Sequence, residues 1–244
     1  MFDLIKQIFR NLKFEYWRSS SEKYVTYLRK KGVRIGENVT FHDPRDTVID
    51  ITQPTLIEIG NNVEITKGVV VLCHDLAWAV QKQLNGDVLG CNRAVHIGNN
   101  VFVGINAIIL EGVEIGDNIV IGSGSVVTKD LDSDAVYAGV PAKKICSLQE
   151  FFLKRKKLQV DEAKELLQSY QIRYGTNPPK DLFRDFFFLF EERSTEIKLI
   201  DSYDKILSLG GNREVSLHKF HASQPIFNGY HEFLKQCGLN NDKE

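Results

Sequence analysis

The sequence lacks the features that define several classes of protein. Its 244 residues include only four cysteines, and their spacing matches neither a paired-cysteine metal site nor a small disulfide scaffold. The 31 basic and 32 acidic residues almost cancel, which argues against a nucleic-acid partner. No apolar run approaches the roughly 20 residues that a membrane-spanning helix needs. With 43% hydrophobic residues, the composition predicts an ordinary soluble protein that buries a substantial core.

A six-residue period occupies the middle of the chain. From residue 97 the successive units are IGNNVF, VGINAI, ILEGVE, IGDNIV, IGSGSV and VTKDLD. The first position of every unit is aliphatic, and glycine or asparagine often follows, as in the tight turns between short strands. A period of six fits neither a helix nor an alternating strand. It predicts a chain that coils with three flat sides and about 18 residues per coil.

The same period begins upstream at Ile59 and is interrupted between His74 and Val95. The interruption, residues 75–94, is 20 residues long and has no repeat signal. Loops of this length in compact domains are often functional, so we predict a functional arm here. Its apolar residues are expected to anchor it: Leu76, Trp78, Val80, Leu84 and Leu89.

Helical patterns flank the repeat and divide the chain into three parts. Residues 1–32 are predicted to be helical up to Gly32, and residues 33–146 contain the repeat with the arm inserted. Residues 147–244 are predicted to form a helical extension, with helices over 148–170, about 180–192 and about 230–237.

The N-terminal segment has two alternative roles. Apolar residues, among them Phe2, Ile5, Phe9 and Leu12, interleave with basic ones, as in a helix that lies on an anionic membrane. The same stripe is suited to covering an end of the coil, and the nearly neutral charge makes this cap the favoured role. No small-residue cleavage site follows, so we expect no signal peptide and a cytoplasmic location.

The ordered repeat blocks resemble a known family. They are IGNNV at 59–63, IGNNVFVG at 97–104, IGDN at 115–118, GSGSVVTK at 122–129 and AGVPA at 138–142. With His74 before the long arm, this series resembles the hexapeptide-repeat acyltransferases, which include the galactoside, maltose and xenobiotic acetyltransferases. The resemblance covers roughly residues 33–146. It implies a mainly β fold built on a left-handed parallel β-helix, a homotrimer, and active sites in the clefts between adjacent coils.

His74 is the residue expected to carry the chemistry. Transfer of an acetyl group from a thioester to a sugar hydroxyl needs a base, because an alcohol does not ionise alone near neutral pH. Neutral imidazole can accept that proton and return it to the departing thiolate, and the resembling enzymes use a histidine at this place. His96 is expected to face solvent, whereas His42 suits the acceptor side and the surface equally. The three histidines lack the spacing of a zinc site, so no metal is predicted.

The polar residues around His74 have open roles. Asp50 and Asp75 are candidates to orient the imidazole or to bind acceptor hydroxyls, and Trp78 of the arm is a further candidate for the acceptor. Alternation along an extended segment turns Asp75 and Cys73 away from His74. Cys73 is therefore predicted to be a core thiol and not a nucleophile.

Acetyl-CoA is the cosubstrate that the resemblance implies. Six residues match family positions that contact it: Phe102, Gly104, Ser123, Thr128, Lys129 and Lys143. Cys146 stands where related enzymes often have a basic residue, which leaves part of the phosphate binding to Lys144 or to the basic cluster at 154–157. A solvated helix face is the alternative role for that cluster.

The resemblance therefore implies an acetyl-CoA-dependent O-acetyltransferase that uses direct transfer. Residues 49–58 and the helical tail look most like the branch that acetylates bacterial surface polysaccharides such as capsule, so the expected acceptor is a sugar or glycan. N-acetylation of an amino sugar or a small xenobiotic is the alternative within enzymes. A trimeric scaffold or glycan-binding module is the alternative outside them.

Overall fold

The computed structural model describes residue 7 and residues 12–194 and 199–239. The chain forms two compact units, divided between Phe151 and Phe152. The first unit contains the repeat, and the second is helical. A mainly β description therefore fits the first unit but is too narrow for the chain as a whole. Among the described residues, no helix has both the length and the apolar character needed to span a bilayer.

Short strands stack into three sheets, one for each side of the coil. The first side consists of β1 (Arg34–Ile35), β4 (Ile57–Ile59), β9 (Val95–Ile97) and β12 (Glu114–Ile115). The second consists of β2 (Thr40–Phe41), β5 (Val63–Ile65), β10 (Val101–Val103), β13 (Ile119–Ile121), β15 (Ala135–Ala138) and β16 (Lys143–Ser147). The third consists of β3 (Val48–Ile49), β6 (Val70–Val71), β11 (Ile108–Ile109) and β14 (Val126–Val127). A 3-10 turn, Pro54–Leu56, precedes β4.

Strand pairing confirms the predicted coil. Val101 pairs in parallel with Ile119, so one coil advances the chain by 18 residues. Ile57 pairs with Val95, 38 residues later, which is one coil plus the 20-residue arm. All pairs between successive coils are parallel, and only β16 closes the second side in an antiparallel direction. The first unit therefore contains a three-sided parallel β-helix.

The core follows the repeat. The first and fifth positions of every unit are buried: Ile97, Val101, Val103, Ala107, Ile109, Val113, Ile115, Ile119, Ile121, Ser125, Val127 and Leu131. Each fully buried Val or Ile contributes about 1.5–3 kcal/mol relative to exposure. The one polar member, Ser125, donates to the Gly122 carbonyl at 2.7 Å and accepts the Gly139 N–H at 3.2 Å, so its hydroxyl is satisfied.

Asparagine forms one corner of the coil. Asn62, Asn100 and Asn118 all have left-handed backbone conformations, with φ between 55° and 61°, which asparagine tolerates better than most residues. Their side chains also form a ladder along the axis. Asn100 Nδ2 donates to Asn118 Oδ1 at 2.9 Å, and Asn118 Nδ2 donates to Asp134 Oδ1 at 2.9 Å. The predicted turns are confirmed, and each turn residue supports the next coil.

Gly98 lies where two coils touch, and a side chain there has no room. An added Cβ would lie 2.5 Å from Asp117 Oδ1 and 2.7 Å from the Gly116 carbonyl. We expect Gly98→Ala to lower the free energy of unfolding by about 1–3 kcal/mol, because backbone cannot move aside cheaply. Chemical denaturation measures this loss. Gly90→Ala is the matched control, since its Cβ would meet only Asn92 Nδ2 at 3.7 Å; an equal loss in both variants would contradict the packing argument.

Helix α1 (Ser21–Lys31) covers the first coil. Its first turn is capped by the Ser20 side chain, which accepts the Lys23 N–H, and it ends at Gly32 in the left-handed conformation, as predicted. Tyr24 and Leu28 are buried in the core of the coil. The predicted apolar stripe falls partly on residues 1–6 and 8–11, which lie outside the described residues. Leu12, which belongs to the described part of the stripe, is exposed. The helix that covers the end of the coil is therefore α1.

The arm begins and ends on a two-strand stem. β7 (His74–Asp75) pairs antiparallel with β8 (Cys91–Asn92), and helix α2 (Trp78–Asn85) lies between them. The prediction that apolar residues anchor the arm is wrong. Leu76, Val80, Leu84 and Leu89 are 61–76% exposed, and Trp78 is only half-buried. Within the described protomer these side chains stay on the surface, and α2 has no buried residue.

Helix α3 (Leu148–Tyr174) begins at the end of the first unit and continues into the second, which also contains α4 (Asp201–Ser208), α5 (Arg213–Ala222) and α6 (Tyr230–Cys237). The first and last confirm predicted helices. The predicted helix over 180–192 is wrong, because the segment forms only two 3-10 turns, Lys180–Phe183 and Phe187–Leu189. Phe183 and Phe190 belong to one apolar cluster and Phe187 to another, and a regular helix would not direct them into both.

Candidate active site

The site forms where the arm leaves the coil. His74 lies at the end of the third side, in the stem strand β7. Asp50 follows β3 in the preceding coil, and its N–H donates to the Val71 carbonyl at 2.9 Å. This stacking brings the Asp50 carboxylate against the imidazole, where Oδ2 accepts a hydrogen bond from His74 Nδ1. The Asp50 side chain is 5% exposed and that of His74 is 26% exposed, so the pair is buried on the carboxylate side and open on the other.

Asp50 is held in place by four donors. Oδ1 accepts the Thr52 N–H at 2.9 Å. Oδ2 accepts the Cys73 N–H at 3.1 Å and the Cys73 thiol at 3.2 Å, in addition to the imidazole N–H. Burial acts to raise the pKa of Asp50, but the hydrogen bonds from His74, Thr52 and Cys73 hold that pKa well below its usual range. Asp50 is therefore ionised at neutral pH.

An ionised carboxylate accepts hydrogen bonds and cannot donate one. We therefore assign the ring proton of His74 to Nδ1, where Asp50 accepts it, which leaves a lone pair on Nε2. Among the described residues, none donates to Nε2. The arrangement provides a base with a fixed tautomer and an exposed lone pair. Buried Asp50 is thus placed to orient His74, in preference to the predicted contact with acceptor hydroxyls.

Cys73 is fully buried, and the predicted core thiol is confirmed. Burial, together with the neighbouring carboxylate of Asp50, raises the pKa of the Cys73 thiol to about 11, so the thiol stays protonated. A buried, protonated thiol is poorly suited to act as a nucleophile. The alternation argument did not anticipate that Cys73 and His74 both contact the same oxygen of Asp50.

Asp75 and Trp78 lie on the arm, whereas Asp50 lies in the coil. Asp75 Oδ1 accepts a backbone N–H two residues later, which forms the turn into α2. The Asp75 carboxylate, the Cys91 thiol and the Glu111 carboxylate have donor atoms within 4.8 Å of one another. Trp78 begins α2 and is half-buried. Both candidates thus lie on the arm, one and four residues after His74, where contact with an acceptor stays a prediction.

The other two histidines of the first unit do not join the site. His42 Nε2 lies 2.7 Å from Glu64 Oε2 on the second side of the coil. His96 faces outward from the first side, as predicted, with Nδ1 3.5 Å from Glu58 Oε2. The three histidines therefore do not converge on one point. The Asp50, Cys73 and His74 side-chain atoms that could bind a metal lie close together. However, the Cys73 thiol and the His74 N–H already donate hydrogen bonds to Asp50, and metal binding would require the thiol to lose its proton.

The residues predicted to contact acetyl-CoA lie on two successive coils. Phe102, in β10, is 41% exposed on the second side. Gly104 and Ser123 are in close contact at the next corner, where a Cβ on Gly104 would lie 2.6 Å from the Ser123 N atom. Such small residues leave backbone accessible to an extended ligand.

The predicted basic positions lie at the end of the coil. Thr128, Lys129 and Lys143 are all exposed. The Ala142 N–H donates to the Val126 carbonyl at 2.8 Å, which brings the chain before Lys143 beside the strand that leads to Lys129. Two exposed ammonium groups at this end of the coil fit a ligand that carries phosphates.

A three-sided coil of hexads with a histidine–aspartate pair at the arm defines a hexapeptide-repeat transferase. Residues 94–129 match the family described as bacterial transferase hexapeptide (six repeats), and the chain belongs to this family. Protein CapG of Staphylococcus aureus is 41% identical over 144 residues, which are 56% of this chain and 83% of CapG. The galactoside O-acetyltransferase of Escherichia coli (strain K12) is 35% identical over 149 residues, which are 60% of this chain and 68% of that enzyme.

Solved structures of the family are also similar. A maltose O-acetyltransferase from Clostridium difficile 630 is 28% identical, with a TM-score of 0.41, over 55% of this chain and 81% of that one. A galactoside acetyltransferase in complex with coenzyme A is 29% identical, with a TM-score of 0.43, over 57% of this chain and 78% of that one.

Proposed function

We propose that the protein is an acetyl-CoA-dependent O-acetyltransferase whose acceptor is a sugar or a bacterial surface polysaccharide. The observation that carries the proposal is the Asp50–His74 pair, which holds an exposed Nε2 lone pair at the base of the arm. CapG and the galactoside O-acetyltransferase, both relatives by sequence, support the class of reaction and of acceptor.

His74 acts as the general base of a direct transfer. Nε2 accepts the proton of the acceptor hydroxyl as the hydroxyl oxygen attacks the thioester carbonyl of acetyl-CoA. The new ester bond forms, the carbon–sulfur bond breaks, and His74 returns the proton to the departing thiolate. Asp50 stays ionised throughout and stabilises the imidazolium that forms between the two proton transfers.

Acetyl-CoA binds along the corner formed by Gly104 and Ser123, beside Phe102. A β-carbon on Gly104 would collide with the Ser123 N atom of the next coil, so glycine lets the two coils stack closely, and the position matches a family contact of the cosubstrate. Lys129 and Lys143 bind phosphate groups at the end of the coil, where both are exposed. The cosubstrate supplies the activated acetyl group, and no metal takes part.

The proposal includes a left-handed coil and a homotrimer, both as in the resembling family. Association is supported by large apolar side chains that face outward from the coil and the arm. Phe102 and Ile105 are exposed on the second side, and Leu76, Val80 and Leu84 are exposed on the arm. A second copy that covers these surfaces removes them from water and encloses the base. We place the reaction in the cytoplasm, where acetyl-CoA is available.

An acceptor screen tests the proposed function. Nucleotide sugars, oligosaccharides and polymeric capsule are each incubated with protein and acetyl-CoA, and mass spectrometry detects a gain of about 42 Da per acetyl group. Release of the added group by mild alkali identifies an ester, whereas an amide persists and indicates N-acetylation. Thioester hydrolysis and transfer both absent, with every acceptor, would overturn the enzymatic assignment.

We expect the double variant Lys129→Ala/Lys143→Ala to raise the KM for acetyl-CoA more than it lowers kcat. The lysines contact phosphates that take no part in bond making, so their loss weakens the ground state and transition state alike. Steady-state kinetics at low salt measures the effect. Lys30→Ala/Lys31→Ala is the matched control, since it removes the same charge from the end of α1. An unchanged KM in the first variant would place the phosphates elsewhere.

A further inference from the structure

Cys73 makes a contact that the mechanism above does not use. It immediately precedes His74, and its thiol lies 3.2 Å from Asp50 Oδ2 in the interior of the coil. Two carbonyl oxygens are also near the thiol, that of Gln53 at 3.5 Å and that of Asp50 at 3.8 Å. A thiol has one proton to donate, and an ionised carboxylate is a stronger acceptor than a carbonyl. The S–H therefore donates to Asp50.

The contact falls on the oxygen that also accepts the imidazole N–H of His74. We propose that Cys73 is a positioning residue of the acyl-transfer site, whose thiol fixes Asp50 and weakens the attraction of Asp50 for the His74 proton, so that His74 stays neutral and able to accept a proton. The proposal rests on the base role of His74 in the proposed function. It assigns to a core thiol a part in proton transfer without contact with either substrate.

The direction of the effect follows from charge sharing at one oxygen. Each donor that binds Asp50 Oδ2 withdraws part of its negative charge, and the imidazolium of His74 interacts with what is left. Removal of the thiol leaves more charge on Oδ2, which favours the imidazolium. His74 then takes up a proton at a higher pH, and less of it is neutral at any given pH. The high pKa of the thiol, about 11, keeps this donor present across the working range.

The charged surroundings of His74 are otherwise the same with and without the thiol. Asp75 adjoins His74 in the stem, and Cys91 faces Asp75 from the paired strand. Glu111 comes from the next coil and lies beside Cys91. Arg93 donates its backbone N–H to the carbonyl of residue 73 at 3.0 Å, a bond that any side chain there preserves. A shift caused by substitution at residue 73 therefore reports on the thiol.

The test compares Cys73→Ala, which removes the donor, with Cys73→Ser, which keeps one. In the full-length protein, kcat/KM is measured against pH, and the titration midpoint of His74 is followed by NMR with labelled histidine. The His74 resonance is identified as the one absent from His74→Gln. We expect Cys73→Ala to move the acidic limb and the NMR midpoint upward by about 0.5–1 pH unit, and Cys73→Ser by less than about 0.3.

Cys237→Ala is the matched control, because it removes another buried thiol, from the core of the second unit. It is expected to lower thermal stability without moving either midpoint. Should Cys73→Ala fail to fold, Cys73→Val fills the space without a donor and replaces it in the comparison.

Equal midpoints in wild type and Cys73→Ala, or equal shifts in the Ala and Ser variants, would overturn the proposal. The NMR titration needs no turnover. A His74 midpoint that depends on the thiol in a protein without transferase activity would overturn the proposed function and leave only the coupling of Cys73 to His74 through Asp50.

Discussion

Replacement of His74 by alanine is expected to lower kcat by about 10²–10⁴-fold, the usual contribution of a general base. The methyl group of alanine cannot accept the hydroxyl proton, so the acceptor oxygen must attack without assistance. Binding of acetyl-CoA should persist, because the base moves protons and does not hold the cosubstrate. Steady-state kinetics with a saturating acceptor and calorimetric titration with CoA measure the two quantities separately.

His96→Ala provides the matched control. His96 is also a coil histidine beside a glutamate, but it faces outward from the first side. It is expected to retain activity within about twofold. A His74→Ala enzyme with activity within a few-fold of wild type would remove the base from the mechanism, and loss of CoA binding in the same variant would point to a structural role instead.

Asp50→Asn is expected to lower kcat by about 10²–10⁴-fold while the fold persists, as is typical for a carboxylate that fixes a catalytic imidazole. The amide is almost isosteric with the carboxylate, but its NH₂ group can donate to Nδ1. That bond favours the tautomer with the proton on Nε2, which removes the lone pair that faces the acceptor. Turnover and circular dichroism, measured on the same preparation, separate loss of catalysis from loss of structure.

Asp43→Asn is the control for this substitution. Asp43 also accepts backbone N–H groups, those of Arg45 and Asp46, but it lies on the surface of the first coil. Activity near wild type is expected. If Asp50→Asn also retained full activity, the imidazole would be oriented by other groups.

The low pKa of Asp50 also predicts how stability depends on pH. The carboxyl pKa in the folded protein lies below its unfolded value of about 3.9, so the ionised form prefers the folded state. This contribution is fully present above that value and is lost as the pH falls toward the folded pKa. The stability difference between wild type and Asp50→Asn should therefore be largest near neutrality and shrink in acid.

Repetition made the coil readable from the sequence. Each unit repeats the same two buried positions, so the assignment of any one unit is checked by its neighbours. The insertion at 75–94 is visible because it interrupts the six-residue period. His74 became a candidate through its place at that break together with the family resemblance. Local chemistry, repeated in register, was sufficient for the coil and the break.

Features that depend on a single long-range contact could not be predicted in the same way. Asp50 belongs to an irregular stretch, and only the stacking of its coil beneath His74 shows that the two side chains meet. The segment 180–192 has a helical pattern, but its phenylalanines are divided between two clusters, which overrides local propensity. The apolar residues of the arm look like anchors in the sequence, yet α2 makes too little contact with the coil to bury them.

The two-strand stem separates changes of sequence in the arm from the structure of the coil. Because β7 and β8 close the arm on itself, Ile57 still pairs with Val95 as if the intervening segment did not exist. Substitutions, insertions or deletions between the stem strands are therefore expected to leave the coil intact, and with it the Asp50–His74 pair. Under the proposed function, contacts with the acceptor can change in the arm at little cost to the stability of the coil.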